Sequence, residues 1–219
     1  MTTKLKIDFV SDIACPWCAI GLGGLEQALA ALEDQIDADI TFHPYELSPD
    51  MPAGGRNGLE HISTKFGMPY DQIRSSREMI RERAAGVGVT INTSDESRIY
   101  NTFDAHRLLA WAKDEGRQLD LKRRLLALYH ADQIDPGDHD ALVAAAEEVG
   151  LDGSAARAVL ESDRYVEEVR AEEELWRSRG IRSVPAVIVN DRHLISGAQP
   201  PEEFERQLRG LAAEAGDVG

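Results

Sequence analysis

Two cysteines separated by two residues are the chain's clearest candidates for chemistry. They lie in Cys15-Pro16-Trp17-Cys18 and are the only cysteines among 219 residues. A pair at this spacing can close a disulfide on itself or exchange one with another molecule, with a thiolate attacking through a mixed disulfide. A secreted protein stabilised by disulfides normally has more cysteines, spread along the chain. The pattern therefore predicts a thiol-disulfide oxidoreductase.

The cysteines lie at a predicted junction between a strand and a helix. Apolar and charged residues alternate over residues 4–10, which predicts a strand with one buried face. After the motif, leucines recur at helical intervals: Leu22, Leu25, Leu29 and Leu32. Unpaired N–H groups and the positive dipole end at the start of that helix favour a negative charge. We therefore expect Cys15 to be the nucleophile and Cys18, one turn deeper, to be the resolving thiol.

Two other interpretations of the cysteines are weaker. If both were inert core residues, their position at a strand-to-helix junction would be a coincidence. A structural zinc ion would need two more ligands, and His130 and His139 are nine residues apart, outside the usual spacing of about three to five. No metal is expected. Pro16 and Trp17 either tune the thiolate within the substrate site or only begin and pack the helix.

The rest of the chain predicts an α/β fold with helices inserted into it. A second strand, marked by Ile40 and Phe42, ends at Pro44, so the first part is a parallel βαβ unit. Residues 44–58 are rich in proline and glycine and leave the sheet. Near the end, residues 186–189 form an apolar strand. A tight turn, a strand at residues 194–195 and a helix from residue 201 follow it.

Residues 59–180 read as helical almost throughout. Glycines mark plausible helix ends, and the pattern indicates about five helices, one of them running from Ser94 to Ala112. The predicted layout is therefore β-α-β, a helical insertion, then β-β-α. It divides the chain into one domain of residues 1–58 and 181–219 and an inserted helical domain of residues 59–180.

The charge balance restricts the classes of partner. The chain has 24 basic and 39 acidic residues, a formal net charge of −15, which repels nucleic acid and anionic lipid. No apolar stretch approaches the roughly 18 residues that a membrane span needs. The first eight residues lack the apolar core of a secretory signal. With the low cysteine count, this predicts a cytoplasmic protein with no nucleic-acid or membrane partner.

Four motifs in order resemble one known family. They are residues 11–18 (SDIACPWC), 101–108 (NTFDAHRL), 183–185 (SVP) and 196–199 (SGAQ). Together they are similar to the FrnE-like branch of the DsbA family of oxidoreductases, over essentially the whole chain. That family has a thioredoxin-like fold with a helical domain inserted between the second and third core strands, which is the layout derived above.

The resemblance implies roles for further residues. It implies that Pro185 follows a cis peptide bond and faces the two cysteines, and that Val184 offers its backbone to an extended peptide substrate. It places Asn101 and His106, from the inserted helices, at the edge of the substrate cleft. For His106 the alternative is a hydrogen-bonded histidine on a half-buried helix face. The implied partners are protein or peptide thiols and disulfides, with glutathione as a candidate reductant or co-substrate and no bound cofactor.

Two rival functions remain open at this point. Glutathione-dependent 2-hydroxychromene-2-carboxylate isomerases and kappa-class transferases look similar in architecture, but they generally have serine in place of Cys15 and lack the second cysteine. A peptide-binding holdase with incidental cysteines is the non-enzymatic alternative. The family acts mostly in oxidising compartments, so a cytoplasmic member leaves the direction of exchange open. The substrate, the reduction potential and the oligomeric state are not predicted.

Overall fold

A computed structural model describes residues 2–216, with side chains described through residue 214. The elements before the insertion are β1 Thr3–Ser11, α1 Pro16–Ala31 and β2 Ile36–Pro44. Those between β2 and the next core strand are β3 Arg56–Asn57, α2 Gly58–Phe66, α3 Tyr70–Gly86, β4 Arg98–Ile99, α4 Phe103–Asp114, α5 Gln118–His130, α6 His139–Glu148, α7 Gly153–Leu160 and α8 Val166–Ser178. The chain then returns to the sheet with β5 Ala186–Val189, β6 His193–Ser196 and α9 Pro201–Gly216.

The central sheet has four strands in the order β2-β1-β5-β6. β1 pairs in parallel with β2 and antiparallel with β5, while β5 and β6 form an antiparallel hairpin. Asn190 and Asp191 in its turn both have positive φ, 52° and 57°, as a tight two-residue hairpin turn requires. The predicted layout of a βαβ unit, an insertion after the second core strand and a final ββα unit is confirmed.

Alternation along the strands divides the buried side chains between two faces of the sheet. Ile7 and Phe9 of β1 belong to the core formed with α1 and α9. Val10 lies in a second cluster on the opposite face, with Trp176 of α8 and Ile188 of β5. Side chains that alternate in this way are expected of a strand covered on both faces. The sheet is therefore packed between the two terminal helices and part of the insertion.

The inserted helices share a core with the sheet. The cluster that contains Phe9 continues through Leu108 of α4 and Leu121 and Leu125 of α5. Gln118, at the start of α5, also covers part of the edge of β2, since its side-chain amide accepts from the N–H of Phe42 and donates to its carbonyl, both at 3.0 Å. These contacts fix α5 against the strand. The predicted division into two domains, at residues 58 and 180, stays a prediction.

The insertion differs from its prediction in two respects. It has seven helices in the described chain, α2 to α8, where about five were expected, because several are short. The helix expected from Ser94 begins only at Phe103. The N–H of Ser94 is instead bound by the Ser97 hydroxyl at 2.8 Å, and Arg98–Ile99 pairs with the strand β3. Serine side chains that bind nearby backbone groups favour turns over helix.

None of the helices in residues 2–216 combines the length and the apolar character that a membrane-spanning helix requires.

Close packing of α1 depends on its glycines. A methyl group on Gly24 would lie 2.7 Å from the carbonyl oxygen of Gln199, just before α9, and one on Gly21 would lie 3.1 Å from the Pro185 ring. The first distance is shorter than a van der Waals contact. The Gln199 carbonyl belongs to the backbone and has little freedom to move away. Glycine at these two positions therefore lets α1 approach the two segments on either side of the β5–β6 hairpin.

We expect Gly24→Ala to lower the free energy of unfolding by about 1–3 kcal/mol, because the added methyl group overpacks the contact with Gln199. Gly210→Ala is the matched control, since it also lies within a helix and its added methyl group has no atom within 4 Å. That variant should keep or gain about 0.5–1 kcal/mol through reduced backbone entropy. Urea unfolding measures both. Equal stability of the two variants would contradict this account of α1 packing.

Candidate active site

The first cysteine lies at the start of α1. Cys15 is the N-cap residue with an extended backbone, φ −89° and ψ 111°, and Pro16 occupies the first turn. The carbonyl of Cys15 accepts from the N–H of Cys18 at 3.0 Å and of Ala19 at 3.4 Å. The remaining N–H groups of that first turn and the positive end of the helix dipole lie beside the motif, where they favour a thiolate.

The two cysteines are buried free thiols in contact with each other. Cys15 is 4% exposed and Cys18 is fully buried. Burial raises the pKa of Cys18 well above its usual value, and the hydrogen bond to Cys15 and the negative charge there raise it further. The pair is therefore asymmetric. Cys18 stays protonated while Cys15 takes the position at the helix N-terminus.

The loop before β5 faces Cys15. The peptide bond between Val184 and Pro185 is cis, as the resemblance implied. The carbonyl oxygen of Val184 lies 3.8 Å from Cys15 Sγ, and Val184 is partly exposed whereas Pro185 is buried. Gly197 donates its N–H to the Pro185 carbonyl at 2.9 Å, which ties the loop to the end of β6. Cys15, Cys18, Val184 and Pro185 therefore meet at one place.

A buried carboxylate organises the loop that precedes Cys15. Asp12 is 1% exposed and accepts from the N–H of Ala14 at 3.2 Å, the N–H of Leu47 at 2.8 Å and the Thr102 hydroxyl at 2.7 Å. His106 Nε2 lies 3.4 Å from its Oδ1. Burial acts to raise the pKa of Asp12, but His106, Leu47 and Thr102 outweigh it, so that the pKa lies below its usual value.

His106 lies beside Asp12, deep in the protein. Its side chain is 2% exposed, and its Nε2, although close to Asp12, forms no well-aligned hydrogen bond among the described residues. A side chain so deeply buried has little surface to offer a substrate. The structure thus places His106 behind the loop of residues 12–14, and its predicted contact with substrate stays a prediction.

Asn101 connects the insertion to the loop after β2 through hydrogen bonds. Its side-chain amide donates to Glu46 Oε1 at 3.1 Å and to the Pro49 carbonyl at 2.9 Å. Arg170 of α8 bridges the carboxylates of Glu46 and Glu173, both of which are buried. Burial raises the pKa of Glu46, although the bond to Arg170 opposes this. Asn101 therefore holds a loop in place, and its predicted substrate contact stays a prediction.

The two residues between the cysteines are partly exposed. Trp17 packs among Ile20, Ala84 and Ile91, and the guanidinium of Arg83 in α3 lies 5.7 Å from its ring centroid. The structure thus supports a packing role for Trp17, between the first turn of α1 and the insertion. Whether the pair also tunes the thiolate stays a prediction.

A cavity opens beside Cys15. Ala14 and Pro16, on either side of Cys15, line a space of about 120 Å³. The insertion supplies the other walls, which include Ile62, Ile80, Ile99, Tyr129 and His130. The Tyr129 hydroxyl already donates to the Arg98 carbonyl at 3.1 Å. Burial lowers the pKa of His130 to about 4, so the histidine is neutral. Arg77 and Arg98 also line the cavity, which has room for a small group attached to whatever reacts with Cys15.

Two residues near the cysteines were missed by the sequence reasoning. Asp12 stands in the quoted motif, yet nothing in composition or spacing distinguished it from a solvated turn residue. Lys122 is 1% exposed, and charges on Cys18, Asp12 and Cys15 act on it. The one available signal was a lysine adjoining the buried leucine stripe of residues 121, 125 and 128. Lysines in that position usually extend to solvent.

Within residues 2–216, no three side chains among histidine, cysteine, aspartate and glutamate are arranged to hold a metal ion. The surroundings of the cysteine pair suit thiol chemistry: a helix N-terminus, a buried partner thiol and a facing carbonyl.

Comparisons with known proteins point to one family. A family model described as a DSBA-like thioredoxin domain matches residues 6–209. The crystal structure of SCO1869, a probable DsbA oxidoreductase from Streptomyces coelicolor, is 33% identical with a TM-score of 0.85, and the match covers 93% of this chain and 88% of that one. The narrower FrnE-like branch stays a prediction.

Two further solved structures share the fold at lower identity. A 2-hydroxychromene-2-carboxylate isomerase is 15% identical with a TM-score of 0.72, covering 98% of this chain and 99% of that one. The cytosolic disulfide reductase DsbM from Pseudomonas aeruginosa, solved with GSH, is 14% identical with a TM-score of 0.64, covering 94% and 98%. At these identities the likeness shows the fold alone.

We expect Thr102→Val to destabilise the protein by about 1–3 kcal/mol near neutral pH, because a buried carboxylate loses a donor. Thr102 makes no side-chain bond that caps α4, so the loss concerns Asp12. The depressed pKa of Asp12 contributes stability that is present above its unfolded pKa and is lost as the pH falls through its folded pKa. In the variant the folded pKa is higher and nearer the unfolded value, so less stability is lost on acidification, and the difference in stability between variant and wild type shrinks as the pH falls.

Urea unfolding at several pH values between about 3 and 7 tests this. Thr64→Val, at an exposed position of α2, is the control and should change little at any pH. If Thr102→Val lost the same free energy at every pH, its hydroxyl would not be acting on the charge of Asp12.

Proposed function

This chain belongs to the DSBA-like thioredoxin domain family, and we propose that it is a thiol-disulfide oxidoreductase that works through Cys15 and Cys18. The observation that most supports the proposal is the contact of two free thiols at the N-terminus of α1, opposite the Val184 carbonyl at 3.8 Å from Cys15 Sγ. This arrangement provides a nucleophile, a second thiol to resolve a mixed disulfide and a backbone edge for a substrate.

The proposed exchange proceeds in two steps. The Cys15 thiolate attacks one sulfur of a substrate disulfide, forming a mixed disulfide and releasing the other sulfur as a thiolate. Cys18 then loses its proton and attacks Cys15 Sγ, which closes the Cys15–Cys18 disulfide and releases the second substrate thiolate. The substrate gains two electrons and the protein loses them. The same steps in reverse oxidise a substrate dithiol.

The loop at Val184 supports an extended peptide as substrate. Its carbonyl already faces Cys15, and the partly exposed Val184 precedes the buried Pro185. An extended segment whose cysteine sulfur bonds to Cys15 can pair its backbone with Val184, in the manner of an added strand. Protein or peptide disulfides are accordingly the proposed substrates.

Compartment and direction are also part of the proposal. We place the protein in the cytoplasm because it has two cysteines, both in the active site, and none elsewhere in the chain. In a compartment kept reducing by glutathione, reduction or isomerisation of substrate disulfides is the favoured direction.

A second candidate function uses glutathione as co-substrate in the conversion of a small molecule. The cavity of about 120 Å³ beside Ala14 and Pro16 supports it, since a small group could be held next to Cys15. In that case Cys18 would be dispensable, and a Cys18→Ser variant would keep turning over a small aromatic substrate with glutathione. The presence of two contacting thiols favours disulfide exchange instead.

Single substitutions of the cysteines should have different effects. Cys15→Ser should abolish disulfide exchange, because no nucleophile remains at the start of α1. Cys18→Ser should stop after the first step and accumulate a mixed disulfide on Cys15, which mass spectrometry detects as the added mass of the substrate. The double variant is the control for background exchange. If both single variants were as active as the wild type, disulfide exchange through this pair would be excluded.

The pair should also show one reversible two-electron transition in glutathione redox buffers, read from thiol alkylation and mass. A midpoint near about −120 mV would mark an oxidant of substrate thiols, and one near about −270 mV a reductant. For a cytoplasmic reductase we expect the lower end of that range. The absence of any transition would show that the two thiols do not close a disulfide and would favour the glutathione-dependent or the holdase alternative.

A further inference from the structure

The cavity of about 120 Å³ beside Ala14 and Pro16 differs in charge from the rest of the chain. The chain has a formal net charge of −15. Among the described residues, however, the side chains that line this cavity include Arg77 and Arg98 and no aspartate or glutamate. The proposed exchange reaction uses neither arginine. Their presence in the wall next to Cys15 therefore needs an explanation.

Arg77 of α3 is a buried cation with donors to spare. Its side chain is 9% exposed, and arginine is almost never buried without a paired charge. Its Nη1 donates to the Ser94 carbonyl at 2.8 Å and to Asp95 Oδ1 at 3.2 Å, and both of these bonds use the same nitrogen. Its Nη2 lies 3.4 Å from the position that a methyl group on Gly58 would take. Gly58 is itself part of the cavity wall.

Asp95 balances the charge of Arg77 only in part. Its Oδ2 is already held by Arg74, through Nε at 3.0 Å and Nη2 at 2.8 Å, so one carboxylate serves two guanidinium groups. The Asp95 side chain is also 43% exposed, and solvent weakens an ion pair at such a position. Burial lowers the pKa of Arg77, so its positive charge is disfavoured where it lies. A second negative group at the cavity would offset this cost.

Arg98 of β4 places a second guanidinium at the same cavity. Its Nε and Nη2 donate to the carbonyls of Gly54 and Gly55 at 2.7 and 2.9 Å. These backbone partners fix the group and leave its positive charge in place. The charge acts on Asp135, whose Oδ1 accepts instead from the N–H of Gly137 at 2.7 Å. The cavity thus has a fixed positive charge on each of two elements of the insertion.

One buried polar atom in the cavity wall lacks a partner. His130 is 2% exposed, and its Nε2 forms no well-aligned hydrogen bond within the described part of the chain. Its ring also lies near the backbone of Ile13 and Cys15, so this part of the wall adjoins the reacting cysteine. Other polar side chains of the wall already have partners, namely Ser97, Tyr129 and Gln133. Buried polar groups are normally hydrogen-bonded, so the vacant nitrogen indicates a place for a ligand atom or a water.

We propose that this cavity is a subsite for a carboxylate carried by the substrate close to its reacting sulfur. Arg77 and Arg98 supply the positive charge and N–H donors, in the planar geometry that matches a carboxylate. A neutral His130 has one N–H to donate. The bound carboxylate would hold the substrate sulfur at Cys15. This inference rests on the proposed function and adds a substrate class to it, disulfides of acidic thiols.

The remaining walls suit the short chain that joins a carboxylate to a sulfur. They include the apolar side chains of Ile62, Ile80 and Ile99. One negative charge opposes an anion here, since Asp12 acts on His130. The Asp12 carboxylate is already bound by its own donors, however, and it is not part of the cavity wall.

Small disulfides that differ in charge test the subsite. Dithiodipropionate has a carboxylate on each thiol, hydroxyethyl disulfide is uncharged, and cystamine is cationic. The rate at which reduced protein consumes each one is followed at pH 7 by alkylation and mass, and is divided by the rate with dithiothreitol to remove differences in intrinsic reactivity. We expect the wild type to prefer dithiodipropionate over hydroxyethyl disulfide by about 10-fold, the effect of hydrogen bonds to a charged group. Cystamine should be the slowest.

Arg77→Met should remove this preference. We expect the dithiodipropionate rate to fall by about 10-fold and the hydroxyethyl disulfide rate to stay unchanged, because only the anionic group contacts the guanidinium. Arg77→Lys should recover part of the loss through its charge. Because Arg77 is buried, Arg98→Met serves as a second variant at an exposed position of the same cavity, and it should show the same selective loss. Urea unfolding verifies that each variant is folded.

Arg81→Met is the matched control. It removes the same charge from an exposed position of α3 that is not part of the cavity wall, and it should leave all three rates unchanged. An equal selective loss in Arg81→Met would indicate long-range attraction and overturn the subsite. So would equal normalised rates for the three disulfides on the wild type. Failure of the proposed function has a different signature, because the wild type would then consume none of them.

Two further substrates identify the source of the carboxylate. One is glutathione disulfide, and the other is a peptide disulfide with glutamate beside the cysteine, compared with its glutamine counterpart. A loss in Arg77→Met confined to glutathione disulfide would assign the subsite to a small thiol. A loss confined to the glutamate peptide would assign it to protein substrates. If Arg77→Met and Arg98→Met consumed all of them at the wild-type rate, the proposal would be overturned for both sources.

Discussion

The burial of one negative charge, that of Asp12, is the constraint on which the rest of the site depends. Removing a carboxylate from water costs several kcal/mol unless donors replace the water. Here the donors come from three places: Ala14 in the loop before Cys15, Leu47 after β2, and Thr102 at the start of α4. The loop that carries Cys15 can therefore keep its shape only when the insertion is docked, and the insertion docks on a charge supplied by the thioredoxin-like part.

The low-dielectric region around Asp12 raises the pKa of some buried groups and lowers the pKa of others. Burial disfavours the charged form of each, so the pKa of Cys18 rises while the pKa values of Lys122 and His130 fall. Asp12 alone has enough donors to reverse the effect. The same buried region therefore holds the Asp12 carboxylate, the protonated Cys18 thiol and the Lys122 amine, whose pKa is about 8.

Sequence patterns predicted the sheet and the cysteine motif well, because both depend on local order in the chain. Alternation located β1, and the strand-to-helix junction expected around Cys15 and Cys18 is where the structure has it. The number of inserted helices and the true start of α4 were not recovered, since side chains of the 94–97 turn compete with helix through local bonds. Asp12 and Lys122 could not be recognised as buried charged residues, because their surroundings include segments about 90 and 110 residues away that only the tertiary fold brings together.

The fold alone does not choose between disulfide exchange and a glutathione-dependent isomerisation, since solved structures of both kinds of enzyme share it. The choice between the two reactions depends on the groups that surround Cys15. A single nucleophile beside a cavity would suit either reaction, but a second thiol in contact with the first has a use only if a disulfide closes between them. Cys18 is held in contact with Cys15 and is fully buried. The features that distinguish the two chemistries therefore lie behind the motif, in the packing of the insertion against α1.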